Sequence, residues 1–116
     1  MPHPTSIKAR TRSRLLDVSF DDGSHFELPF EYLRVYSPSA EVRGHGPGQE
    51  TLQLGKHEVG VRAVEPIGNY AVRIVFDDGH DTGLFTWSYL QTLHDERDKR
   101  WAEYLSELAV KGLSRG

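Results

Sequence analysis

A four-residue phrase, Phe20-Asp21-Asp22-Gly23, recurs as Phe76-Asp77-Asp78-Gly79, and each copy is followed by an aromatic-rich segment containing Tyr-Leu, at Tyr32-Leu33 and Tyr89-Leu90. Apolar residues lead into both Asp-Gly pairs, and Asp and Gly tolerate the positive φ that tight hairpin turns use. The repeat therefore predicts a hairpin followed by a helix, used twice. Leu16, Val18 and Phe20 share one strand face, with Asp17 and Ser19 opposite, and Phe26 and Leu28 continue the apolar face after the turn. Pro29 has no N–H to donate and stops that ladder. Phe30, Leu33 and Tyr36 then follow at helical spacing until Pro38.

Val59, Val61 and Ala63 alternate, the stretch from Val64 to Asn69 supplies turn formers, and Tyr70 to Phe76 returns as a strand, so a central antiparallel hairpin is expected. After the second turn a helix capped by Thr86 or Ser88 carries Trp87, Leu90 and Leu93. From Asp95 to Val110, Trp101, Leu105 and Leu108 recur at spacings of four and three, an amphipathic helix expected to dock Trp101 and Leu105 on the body and to end at Gly112. The expected class is α+β: a small antiparallel sheet built from two hairpin-helix units, with a C-terminal amphipathic helix. At 116 residues one domain is expected. It divides into a partly mobile basic arm over residues 1–12, a body over 13–94, and a helix and tail over 95–116. Residues 37–56 form the longest irregular stretch, and loops of that length inside a compact domain are often functional.

Composition removes several function classes. Without cysteine there are no disulfides, thiolate zinc sites, cysteine-ligated iron–sulfur clusters or cysteine nucleophiles. A net charge of -3 argues against a strongly basic nucleic-acid binder, and Lys8, Arg10, Arg12 and Arg14 have no interleaved aromatic residues on which bases would stack. No apolar stretch approaches the roughly 20 residues that span a bilayer, and no signal-peptide apolar region opens the chain, so a cytoplasmic location with no membrane partner is expected.

The residues give little sign of a reaction. Asp21-Asp22 and Asp77-Asp78 are expected as turn-makers, because Asp side chains satisfy nearby backbone donors. His25-Phe26-Glu27 has the spacing of two ligands of a facial-triad iron site, with His80 or His94 as a distant third, but the chain is too short for the oxygenase scaffold. Gly44-His45-Gly46-Pro47-Gly48 lacks the Lys-Ser/Thr of a P-loop, and no Gly-x-Ser-x-Gly element is present. Stand-alone catalysis is not expected.

Three blocks resemble one family when taken in order: Glu31 to Val42, Gly68 to Val72, and Phe76 to Trp87. They are similar to an uncharacterised bacterial family that resembles the N-terminal domain of gamma-butyrobetaine hydroxylase, over roughly residues 7–94. The resemblance implies an accessory domain that binds zinc and forms interfaces, found also attached to Mrp-type P-loop ATPases implicated in carrying iron–sulfur clusters. The family's pattern places three cysteines after the Leu-Arg pair and a histidine after the later turn. Here those positions are Ser37, Ser39, Val42 and His80, and only His80 keeps its ligand type. Since hydroxyls are poor zinc ligands and Val is none, the expectation is a chain that folds without zinc or another cofactor.

The expected function is thus a non-catalytic interaction module whose protein partner is an iron–sulfur carrier ATPase, with Arg34, Ser37, Ser39, His80 and Trp87 forming the contact patch. Arg34 is expected to anchor an acidic partner or to pair with Glu31 across one helical turn. The second reading is a regulatory domain that binds a metal or small ligand through His80 with His45 or a nearby carboxylate.

Overall fold

The structure, a computed structural model, describes residues 3–39, 42, 52–53 and 55–115. Its elements run β1 (Pro4–Arg10), β2 (Leu15–Phe20), β3 (His25–Pro29), α1 (Phe30–Val35), β4 (Val61–Ile67), β5 (Ala71–Phe76), β6 (Leu84–Thr86), α2 (Trp87–Asp95) and α3 (Arg97–Val110). The class is α+β, as expected. The strands divide into two antiparallel three-stranded sheets, β1-β2-β3 and β4-β5-β6. The repeating unit is therefore one strand longer than the sequence phrase suggests: three strands and a helix, twice.

The backbone repeats closely. In the first turn Phe20 N–H donates to the Ser24 carbonyl at 2.9 Å, and in the second Phe76 N–H donates to the His80 carbonyl at 2.9 Å. Asp21 N–H reaches the carbonyl of His3 just before β1, and Asp77 N–H reaches that of Gly60 just before β4, both at 2.9 Å. Both first strands also shift register near their start, between Pro4 and Ser6 and between Val61 and Ala63. In each turn glycine alone takes positive φ, +86° at Gly23 and +92° at Gly79, while the aspartates do not. This corrects the expectation for Asp and marks a three-residue loop closed by a left-handed glycine.

The basic segment expected as an arm holds β1, which pairs with β2 from Pro4↔Phe20 to Arg10↔Leu15. Ile7 and Ala9 alternate onto the main core, and that burial fixes a segment whose charges read as a tail. Strand β4 likewise continues through Pro66 to Ile67, where turn formers were expected to break it. Proline is tolerated there because β4 is an edge strand.

One main core draws on both units: Leu16, Val18, Leu28 and Leu33 meet Ile74, Phe76, Phe85, Leu90 and Leu93. The Thr86 side chain caps α2 by accepting from Tyr89 N–H at 3.1 Å, as the sequence suggests. Helix α3 buries Tyr104 and Leu108 and half-buries Trp101, while Leu105, expected to dock, is 40% exposed. The buried stripe lies one position before the expected residue because Tyr104 is amphipathic, its hydroxyl donating to the Gln53 carbonyl at 2.7 Å. Tyr36 donates to the Arg100 carbonyl at 2.6 Å and Tyr32 to the Leu93 carbonyl at 2.7 Å, so tyrosines from α1 and its exit tie down both later helices. Gly112, at φ +67°, ends α3 while Leu113 N–H bonds back to the Leu108 carbonyl at 2.9 Å.

The equivalence of the two turns has a direct test. A Cβ at Gly23 or Gly79 meets nothing within 4 Å, so each Gly→Ala change should cost only the left-handed backbone strain, about 1–2 kcal/mol. Urea denaturation should give equal losses to within about 0.5 kcal/mol, and clearly unequal losses would show that the turns are not equivalent.

Candidate polar clasp between the first helix and the second turn

All six residues of α1 are buried, which places two charged side chains, Glu31 at 8% and Arg34 at 7% exposure, inside the fold. Buried charges need partners. The expected Glu31–Arg34 pairing gives way to two long-range ones. Arg115 Nε and Nη2 donate to the Glu31 carboxylate at 2.9 and 2.7 Å, joining α1 to the C-terminal tail. Arg34 Nε donates to Asp78 Oδ2 at 2.9 Å and Nη1 to Gln53 Oε1 at 2.9 Å.

Asp78 has two jobs. One oxygen accepts the His80 backbone N–H at 3.1 Å and so shapes the second turn. The other accepts from Arg34 and from Lys56 Nζ, the latter at 2.7 Å. Burial pushes this carboxyl up, but the hydrogen bonds from Lys56, the His80 N–H and Arg34 outweigh it and hold the pKa down at about 2. The matching Asp22 has only the first job, accepting from Ser24 N–H at 2.9 Å and Ser24 Oγ at 2.6 Å on the surface. Both aspartates are turn-makers, as their sequence context predicts, and Asp78 is in addition a counterion, which no local pattern signals.

Beyond α1 the chain doubles back along this turn. Ser37 Oγ and His80 Nε2 share a hydrogen bond at 2.8 Å, and Ser39 Oγ and Thr82 Oγ1 share another at 2.6 Å. A Cβ at Gly83 would lie 2.3 Å from Ser37 Oγ, so the close approach requires glycine. The structure thus brings together four of the five residues expected as a contact patch, Arg34, Ser37, Ser39 and His80. It buries them all, Ser37 at 0%, Ser39 and His80 at 5%. The fifth, Trp87, follows Thr86, which pairs with Ala71 at the far end of β5 from Phe76 and the His80 turn. Five strand steps of about 3.3 Å separate those ends. There the Trp87 indole N–H donates to the Asn69 carbonyl at 2.8 Å. Gln53, Lys56 and Thr82 complete the cluster, and no motif announced them.

The zinc that the family resemblance implies does not fit these residues. Two ligand atoms on one tetrahedral zinc stand roughly 3.3–3.8 Å apart, given bonds of about 2.0–2.3 Å. Ser37 Oγ and His80 Nε2 are closer, at hydrogen-bond distance, and the neighbouring Ser39 and Val42 supply a hydroxyl and an apolar side chain. Among the described residues no group of three His, Asp or Glu side chains is placed to hold a metal. His25 Nε2 bonds to Asp17 instead, and His94 stacks on Phe26 with ring centroids 4.4 Å apart, so the His25-Phe26-Glu27 spacing gathers no third ligand. His45 lies outside the described residues.

The depressed Asp78 pKa makes stability depend on pH. A carboxyl whose folded value lies below its unfolded one, 3.8, stabilises the fold fully above that value and loses the contribution as pH falls toward about 2. The displacement corresponds to about 2 kcal/mol. Asp78→Asn should cost about 3 kcal/mol at pH 7, since it leaves Arg34 buried without its counterion, and should flatten the acid limb of the stability curve between pH 4 and pH 2. Denaturation across that range checks it, with Asp22→Asn expected to change the acid limb far less.

The comparisons with known proteins agree with this architecture. Residues 7–91 match the family described as gamma-butyrobetaine hydroxylase-like, N-terminal. An NMR solution structure 50% identical in sequence superposes with a TM-score of 0.83, covering 99% of this chain and 90% of the other. A second NMR structure is 48% identical with a TM-score of 0.85, covering 99% and 86%. A crystal structure from Acidithiobacillus ferrooxidans, a protein of unknown function in the DUF971 family, is 41% identical with a TM-score of 0.66, covering 78% and 91%. No curated protein matches this chain. The chain belongs to the gamma-butyrobetaine hydroxylase-like N-terminal domain family.

Proposed function

We propose that the chain is a non-catalytic accessory module that works through contact with another protein, in the iron–sulfur maturation setting that the family resemblance implies. One observation carries this reading: the polar residues at the family's motif positions are spent inside the fold. Arg34, Ser37, Ser39 and His80 are buried and paired. Among the described residues no buried side-chain nitrogen or oxygen lacks a partner. At 0–7% exposure these side chains are closed to a substrate.

A partner is therefore met elsewhere than at His80. The cleft between the start of α1, helix α3 and the tail has a volume of about 530 Å³ and includes Tyr32, Trp101 and Leu105 in its walls. Leu105, Val110 and Leu113 are exposed along the same C-terminal segment, at 40%, 84% and 42%. Charged side chains, Arg97 and Asp98, stand at the same cleft. Such a mixed surface suits a protein contact with an apolar centre and a polar rim.

Affinity capture from the host cell tests the proposal. The wild-type chain should recover an iron–sulfur carrier ATPase, and Leu105→Asp should reduce that recovery at least tenfold while Ser37→Ala does not, corresponding to about 1.4 kcal/mol or more of contact free energy. Recovery of no iron–sulfur protein, or equal recovery by the Leu105 variant, would contradict it.

A further inference from the structure

The disagreement between the family's implied zinc and the residues present has a structural consequence. The segment leaving α1 and the segment following the second turn meet at two pairs, Ser37 with His80 and Ser39 with Thr82, each spanning 43 residues of sequence. A zinc ion at this place would tie the same two segments together by coordination. Here side chains do it directly. Ser39 N–H also donates to Ser37 Oγ at 3.3 Å, and Val42 N–H donates to the Ser39 carbonyl at 3.0 Å. Val42 is 4% exposed.

We propose that Ser37, Ser39, Thr82 and His80 form a metal-independent hydrogen-bonded clasp. It does the work of a structural metal site by holding the segment after α1 to the segment after the second turn. Two features make the clasp specific rather than incidental. Gly83 permits the approach of Ser37, which any side chain there would block. The Arg34–Asp78 pair holds the same two segments immediately beside it, at 2.9 Å. The hydroxyl–imidazole pair is buried, where a lost partner is costly, while the hydroxyl–hydroxyl pair runs from buried Ser39 to exposed Thr82, so the first pair carries most of the clasp's contribution to stability.

The test uses the whole chain with any histidine tag removed. Thermal unfolding of the wild-type protein should be unmoved by a strong chelator or by added zinc, because only a ligand bound to the folded state shifts it. Ser37→Ala should lower Tm by roughly 5 °C, and Thr82→Ala, at an exposed residue, should lower it by less. A chelator-induced drop in wild-type Tm, or a stoichiometric metal in the purified protein, would overturn the proposal by showing that the natural residues already hold an ion. An unchanged Tm in Ser37→Ala would overturn it by showing that the pair with His80 does not hold the two segments together.

Discussion

A buried arginine needs a counterion, and the position of that counterion decides how this chain closes. Arg34 sits in a six-residue helix with no exposed face, so its guanidinium cannot reach water from where α1 puts it. Asp78 meets it from the second turn. The helix of the first unit is thereby fixed to the strands of the second by an interaction whose loss would strand a charge in the interior. Glu31, on the same helix, repeats the arrangement with Arg115 and fixes the tail. Six residues too short to be stable as an isolated helix are held by what they touch on either side.

The two units share a backbone plan and differ in what their turns do. Asp22 and Asp78 occupy equivalent places and make equivalent bonds to the backbone N–H two residues on, at 2.9 and 3.1 Å. Ser24 then finishes the first turn as a surface hydroxyl bonded to its own Asp. His80 finishes the second as a buried imidazole bonded to Ser37. An internal repeat has kept its geometry while one copy became the polar joint of the molecule. Ser37 and Ser39 meet the second turn at that joint, where their hydroxyls are hydrogen-bonded to His80 and Thr82.

Local features were legible in the sequence. Period-two alternation marked β2, β3 and β5, the Asp-Gly turns marked the hairpins, and Thr86 marked the start of α2. Features set by distant partners were not. Strand β1 has an edge-strand pattern diluted by bases, and its place is decided by pairing with β2. The Arg34 counterion lies 44 residues away, while Glu31 offered a nearer and chemically equal choice. Tyr104 displaced Leu105 from the buried stripe because its hydroxyl finds the Gln53 carbonyl, a partner no periodicity reveals. The motif comparison singled out Ser37, Ser39 and His80 as a contact patch, and exposure could not be read from it: all three are buried.

A double-mutant cycle between Arg34→Gln and Asp78→Asn, read by urea denaturation at pH 7 and again near pH 2, tests the central claim most directly. The account predicts a coupling of about 2 kcal/mol at pH 7 that largely disappears once Asp78 is protonated. A coupling near zero at pH 7, or one unchanged at low pH, would contradict it.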